Sequence, residues 1–417
     1  MSEYGSKIIQ NLIENAYVEN KGVHYFYDRK TKVKKGGINS NDLGDYIPFF
    51  HYYGFIKTST NYIKTCLDKY HVFYRERVSR FGSTFLSRFG VIDLYSNSDY
   101  FQGLVFAKSK KEYSSFHTKI DFIFSNLNKI LSKTNFTHFY KIRNHYMPLP
   151  LFRLLDIGMY PELLMQVGHK SLGYKINNNI ANRIIKNNAS LNEIYFYRWS
   201  LVNKSTLMKD HTNFLFSYLR CNRDNFSDEK LVLLKKVIDI VDNSFTHNNI
   251  IFNEIENVGK IASPLSFAFL EVLLEAFIES EDSYYINRLE QLLEYWLNLI
   301  EKYTILPGLI NIQTNKVGMT STVDPNTDFF VFLKKLKIFT GDKYISTNFI
   351  NSYRDEIIKN YLNKNTFDVY KNVDVITGER HNSIKSKFAC LFVKIFIVDQ
   401  IKSIDDYYNK EIYLDDR

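Results

Sequence analysis

Apolar residues recur along most of this chain at the three-and-four spacing of a helix face, and the helices they predict are of two kinds. In one kind a single stripe is apolar and the rest is charged. Leu231, Leu234, Val237, Ile238 and Val241 follow Ser227-Asp228-Glu229 in this way, as do Leu289, Leu292, Leu293, Trp296, Leu297 and Ile300. In the other kind nearly every position is apolar, as in residues 263–274, 329–333 and 388–393. A helix without a polar face must be enclosed by other helices. The two kinds alternate, which predicts inner helices near 45–56, 99–107, 147–158, 207–220, 263–279, 326–340 and 383–399. Outer partners are expected near 60–78, 111–132, 161–188 (broken), 228–243, 283–302 and 344–362, with an opening helix near 5–19 beside the last inner one. Short turns such as Thr340-Gly341-Asp342 lie within the hairpins and long connections lie between them, so the long connections gather on one rim. Val23-His24-Tyr25-Phe26-Tyr27 and Ile305-Leu306-Pro307-Gly308-Leu309-Ile310 read as short extended pieces of that rim.

Composition narrows the class. The chain has 417 residues, 45% of them hydrophobic, and no Pro/Gly/Ser-rich linker, so residues 1–417 read as one domain with a large core. The 31 Tyr and 34 Phe suit a cleft whose rings stack on sugars, although AT-rich coding produces the same excess. A net charge of +9 permits an anionic partner, but the one dense basic run, residues 29–35, has no nucleic-acid motif around it and reads as a solvated loop. Neither nucleic acid nor a membrane is expected as a partner. Cys66, Cys221 and Cys390 are far apart and form no metal or redox spacing, so no metal site is expected. With no apolar leader and no long apolar run, a soluble cytoplasmic protein is expected. Nucleotide loops, dinucleotide fingerprints, serine elbows and zinc-protease motifs are missing, and no cofactor is expected.

An all-α double layer of inner and outer helices closed into a ring resembles the six-hairpin glycosidase-like (α/α)6 toroids. Residues 36–55 look like the first inner-helix entry of such proteins. Asp324-Pro325-Asn326-Thr327-Asp328-Phe329-Phe330, followed by Phe339-Thr340-Gly341-Asp342-Lys343-Tyr344, looks like a late hairpin. Seven inner segments stand where six are expected, so a seventh hairpin, as in some mannosidases, is the alternative. The Asn-Asn-His-Gly signature of polysaccharide lyases is absent. The resemblance implies a carbohydrate substrate and an active site on the loop-bearing rim, and names no single enzyme family.

The candidate chemistry follows from carboxylates at helix mouths. Asp324 reads as the N-cap of a helix with Pro325 at its first position. Asp328 lies one turn further on, where Phe329 and Phe330 draw the turn into the core, which suits a general acid. Asp42 and Asp45 open the first inner helix. Glycosidic cleavage uses two carboxyl groups about 5–9.5 Å apart, so Asp328 facing Asp45 or Asp42 across the ring is the expected catalytic set. Asp324, Tyr46, His211, His381 and Arg380 are expected to contact substrate, Arg380 as a clamp for an acidic sugar. Glu271 and Glu275, four apart in the most apolar helix, face either the lumen or a neighbouring helix. Hydrolysis of a glycoside is the leading expectation. A lyase or epimerase using Tyr and His, or a non-catalytic helical scaffold, is the alternative, and the scaffold predicts an open superhelix with distant ends.

Overall fold

The computed structural model describes residues 3–28, 34–39, 43–69, 91–92, 95–134, 139–142, 145–148, 158–189, 193–197, 200–204, 207–223, 225–380 and 383–414. An outer helix, α1 (Glu3–Ala16), precedes a series of hairpins, each an inner helix followed by an outer one. These are α2 (Leu43–Tyr52) with α3 (Ile56–Lys69), α4 (Tyr95–Ser109) with α5 (His117–Thr134), and α6 (Tyr160–Gln166) with α7 (Lys170–Lys186). They continue with α8 (Met208–Asn222) and α9 (Asp228–Phe245), α10 (Ala268–Ser280) and α11 (Ser283–Tyr303), and α12 (Val323–Thr340) and α13 (Thr347–Tyr361). The chain then enters inner helix α14 (Lys387–Val398) and ends its described part in α15 (Ile404–Leu414).

The inner helices touch in the order α2, α4, α6, α8, α10, α12, α14, and α14 returns to α2. The ring is closed. Its seventh hairpin is made by the two ends of the chain, because α1 packs outside α14 and Asn11 donates to Asp368 at 3.0 Å. This is an (α/α) toroid, and closure excludes the open superhelix of a scaffold.

Local chemistry sets the hairpins. α10 stops at Glu281, a left-handed residue with φ 56°, and α11 starts at once from Asp282, whose side chain accepts from the Tyr284 amide at 2.9 Å. α12 stops at Gly341, φ 70°, where a Cβ would be strained, and α13 starts from Ser346, which accepts from the Phe349 amide at 3.2 Å. The third hairpin differs from expectation. The break foreseen within 161–188 is the hairpin turn itself, made by Gly168 at φ 94°, so the inner helix is 160–166. Of the predicted segment 147–158, residues 147–148 end the strand His145–Pro148 and 149–157 lie outside the described residues.

Every described strand falls between an outer helix and the next inner one. The strands pair across neighbouring connections: Ile261–Ala262 with Ile310–Asn311, Thr320–Thr322 with Asn372–Asp374, and Ser383–Lys385 with residues 26–28 of Gly22–Asp28. Several of the long connections are thus laced to their neighbours along the rim at the N-terminal ends of the inner helices. The predicted strand at 23–27 forms, whereas only Ile310 of 305–310 does. The last helix, α15, had no counterpart in the sequence reading. It packs on α14, α12 and α2 at the end of the ring away from the laced rim, with Tyr407 buried.

Candidate active site

Four inner helices present one polar stripe each to the lumen, at the spacing of a single helix face. On α12 the stripe is Asp324, Asp328, Val331 and Lys335; on α14 it is Lys387, Leu391 and Lys394; on α10, Glu271, Glu275 and Glu279; on α8, Asn213, Phe216, Arg220 and Arg223. Two adjoining cavities occupy the lumen. The smaller, about 150 Å³, is lined by Asp324, Asp328, Glu271, Lys209, Lys387 and Tyr407 among others. The larger is about 780 Å³, and both cavities share Asn213, Phe216, Arg220 and Glu411.

The start of α12 is held by a polar knot. Asn326 is fully buried. Its Oδ1 accepts from the Leu306 amide at 2.8 Å and from the Tyr353 hydroxyl at 2.9 Å. Its Nδ2 donates to Ser321 Oγ at 2.9 Å and to the Thr322 carbonyl at 2.8 Å. This knot fixes the first turn and with it the direction of Asp324 and Asp328. The N-cap is Thr322 rather than Asp324, because the strand Thr320–Thr322 runs directly into the helix. Asp324 is therefore one residue inside the first turn, where the helix dipole favours an anion, and Pro325 occupies a position whose missing N–H has no helical acceptor. Asp324 is not consumed by capping. Its Oδ1 is buried and has no hydrogen-bond partner among the described residues.

Asp328 faces Lys394, whose Nζ lies 3.3 Å from Oδ1 and whose side chain is almost wholly buried. The residue expected from sequence as a general acid therefore sits in an ion pair with a buried ammonium. Asp45 lies on α2, on the other side of α14, 3.7 Å from Lys387 Nζ. It is buried behind that lysine, while its neighbours Gly44 and Pro48 line the larger cavity. Lys385 lies nearby under Tyr25 and Phe388. Burial, with Lys387 and Lys371 close, brings its pKa down to about 8.

The remaining expected residues lie elsewhere. Tyr46 is buried against Phe50 and Tyr62. His211 is fully buried with its ring nitrogens 3.0 and 3.1 Å from the carbonyl oxygens of Leu207 and Ala189, and burial lowers its pKa to about 4. Arg380 donates to the carbonyl of Asn360 at 2.9 Å and to that of Lys359. It thus satisfies the C-terminal end of α13 and lies against Tyr370. Asp42 and His381 lie outside the described residues.

Below the carboxylates lies an ionic network that sequence reading found only in part. Lys335 reaches Glu275 and Glu271, the latter at 3.2 Å, so both glutamates bond a neighbouring helix, and Glu271 also lines the smaller cavity. Arg223 binds Glu279 at 3.1 Å and Glu411 at 2.8 Å, and Arg220 binds Glu162 at 3.3 Å and Glu411 at 3.4 Å. Burial alone would raise the pKa of Glu411, but Arg220, Arg223 and Lys335 hold it well below the ordinary carboxylate range. Lys394, Lys387, Arg220 and Glu411 were missed. Lys394 had a signal, as a lone charge inside an otherwise apolar helix, whereas Glu411 lies in a mostly polar helix and had none.

No known family profile and no curated protein matches the sequence. Solved structures do. The α-1,2-mannosidase from Trichoderma reesei superposes with a TM-score of 0.60 at 10% identity, over 96% of this chain and 92% of that one. The cellobiose 2-epimerase from Bacillus thermoamylovorans gives 0.52 at 10% identity, over 94% and 98%. That from Spirochaeta thermophila gives 0.51 at 11%, over 94% of both chains. At these identities the likeness is one of fold, and it is the (α/α) toroid of the six-hairpin glycosidase-like proteins. No helix among the described residues is long and apolar enough to cross a membrane.

Proposed function

We propose that this protein is a carbohydrate-active enzyme that hydrolyses a glycosidic bond at the rim-side lobe of the toroid lumen. The observation that carries the reading is the Asp324–Asp328 pair: both line one cavity, at the loop-bearing end, on a helix start held rigid by Asn326. Residues i and i+4 of a helix lie about 5–6 Å apart at Cβ, which suits two carboxyl groups flanking one bond. Asp328, ion-paired with Lys394, either takes a proton from a water that bonds to the anomeric carbon or bonds to that carbon itself, while Asp324 gives its proton to the departing oxygen as the C–O bond breaks. In the second case a water, losing its proton to Asp324, then displaces Asp328 from the sugar. Asp45 enters as a positioning residue that holds Lys387 at the cavity edge. The substrates named for the mannosidase and the epimerases, both acting on sugars within the same fold, support a carbohydrate for this chain. We take residues 1–417 as one folding unit, since the first helix packs on the last inner helix, and place it in the cytoplasm, since the sequence has no metal or disulfide-framework cysteine spacing.

The test is turnover of a panel of aryl glycosides and unsubstituted disaccharides by the parent protein, Asp328→Asn and Asp324→Asn. Loss of a positioned base or acid costs about 10²–10⁴ in rate. Asp328→Asn should fail on every substrate, and Asp324→Asn should fail chiefly on disaccharides, because an aryl leaving group needs little protonation. Two variants as active as the parent would overturn the assignment. The epimerase reading draws on the likeness to the cellobiose 2-epimerases over nearly the whole chain. A disaccharide product with its glycosidic bond intact and one carbon inverted would establish that reading instead.

A further inference from the structure

The larger cavity is not used by the chemistry proposed above, and its shape has a direction. It is lined near the rim by Gly44 and Met159, at mid-depth by Gln102, Asn213 and Phe216, and at the far face by Gln166 and Lys170. Gln166 ends the inner helix α6 and Lys170 begins the outer helix α7, so the cavity runs the full depth of the inner layer beside α15. The smaller lobe, which holds Asp324 and Asp328, measures about 150 Å³. Sites that enclose a whole small ligand measure about 300–1,000 Å³. The reactive lobe is therefore below that range, and the larger one, about 780 Å³, is within it. Asn213 and Phe216 belong to both walls, so a ligand passes from one lobe to the other over an amide and a ring.

The lining of the larger lobe fits a polyhydroxylated chain. Gln102, Asn213 and Gln166 are amides, which both donate and accept, Gln166 already donating to Glu162 at 3.0 Å, and Phe106, Phe216 and Tyr174 line the lobe with rings. We infer that the larger lobe binds the remote units of an oligosaccharide whose reacting unit occupies the Asp324–Asp328 lobe, so that the substrate is a sugar chain that descends into the ring. The inference rests on the hydrolase reading and adds the substrate's length and path to it.

Calorimetric titration with gluco- and manno-oligosaccharides of one to four units tests it, using Asp328→Asn to prevent turnover, beside the parent protein assayed on aryl monoglycosides. Affinity should rise by about tenfold or more between one unit and three. Gln166→Trp fills the far end of the lobe from an exposed position, and Asn213→Leu removes the shared amide. Each should return the trisaccharide towards the affinity of the monosaccharide, with an unchanged melting temperature for Gln166→Trp. A length-dependent gain untouched by both substitutions would place the chain elsewhere, along the rim, and overturn the inference. Binding with no gain from length would also overturn it while leaving the hydrolase reading intact. Failure to bind any sugar, together with no turnover of aryl glycosides by the parent, would remove the hydrolase reading itself and the inference with it.

Discussion

Two sets of acids and bases share the lumen of this ring, and they are arranged in opposite ways. At the floor, Glu162, Glu271, Glu275, Glu279 and Glu411 meet Arg220, Arg223 and Lys335, and the helix that closes the network, α15, is held down by it. At the rim, Asp328 meets Lys394 at 3.3 Å, Asp45 meets Lys387 at 3.7 Å, and Asp324 keeps a buried oxygen without a hydrogen bond among the described residues. Buried charges are tolerated when paired, and breaking one pair leaves an uncompensated charge. The floor pairs each of these side chains with an opposite charge. At the rim Asp324 has no ion pair among the described residues and lines the smaller cavity. Under the proposed function the same residue types make structure at one end and chemistry at the other.

Substitutions can break this contrast. The largest effect is expected at the rim: Asp328→Asn should lower turnover by about 10²–10⁴ with little change in thermal midpoint, measured by steady-state rates beside a melting curve. The floor should respond the other way. Arg220→Ala leaves Glu162 and Glu411 short of a cation and should cost about 3–5 kcal/mol of stability, read by denaturant unfolding. A fall in activity without loss of stability would show that the floor takes part in the reaction.

Acid titration sharpens the comparison next. His211 has a folded pKa of about 4, below its ordinary 6.5, so the unfolded chain binds its proton first. Stability from this group is complete above about pH 6.5 and is lost as pH falls towards 4. Glu411, also depressed, contributes stability above the ordinary carboxylate range that is lost at lower pH still. Unfolding free energy should therefore fall in two stages, the first removed in His211→Gln and the second in Glu411→Gln. A single stage unaffected by either substitution would assign the acid sensitivity elsewhere. The smallest effect is expected outside the lumen, where Ser346→Ala removes the cap of α13 and should cost about 1 kcal/mol, measured by the same unfolding curves.

Much of the ring could be read from the chain. The alternation of enclosed and amphipathic helices predicted the inner and outer layers, and turns such as Thr340-Gly341-Asp342 marked where hairpins reverse. The long connections were expected on one rim, and the opening helix beside the last inner one, as observed. The third hairpin was misread because a seven-residue helix ending at Gln166, just before the Gly168 turn, is too short to show its period. Asp324 was read as a cap because Asp before Pro is the usual signal. Only the strand running into Thr322 moves the cap back by two residues. Tyr46, His211 and Arg380 carry residue types suited to a site, yet packing, two carbonyl oxygens and a helix end account for them.

What the sequence determined by itself is the helix inventory, its two layers and the presence of carboxylates at inner-helix mouths, because these depend on periodicity within a dozen residues. What only the tertiary structure decided is which charges meet. Lys394 reaches Asp328 across 66 residues and Glu411 reaches Arg223 across 188. Such pairs arise only when ring closure brings distant helix faces to one axis, and no local pattern encodes the distance between them.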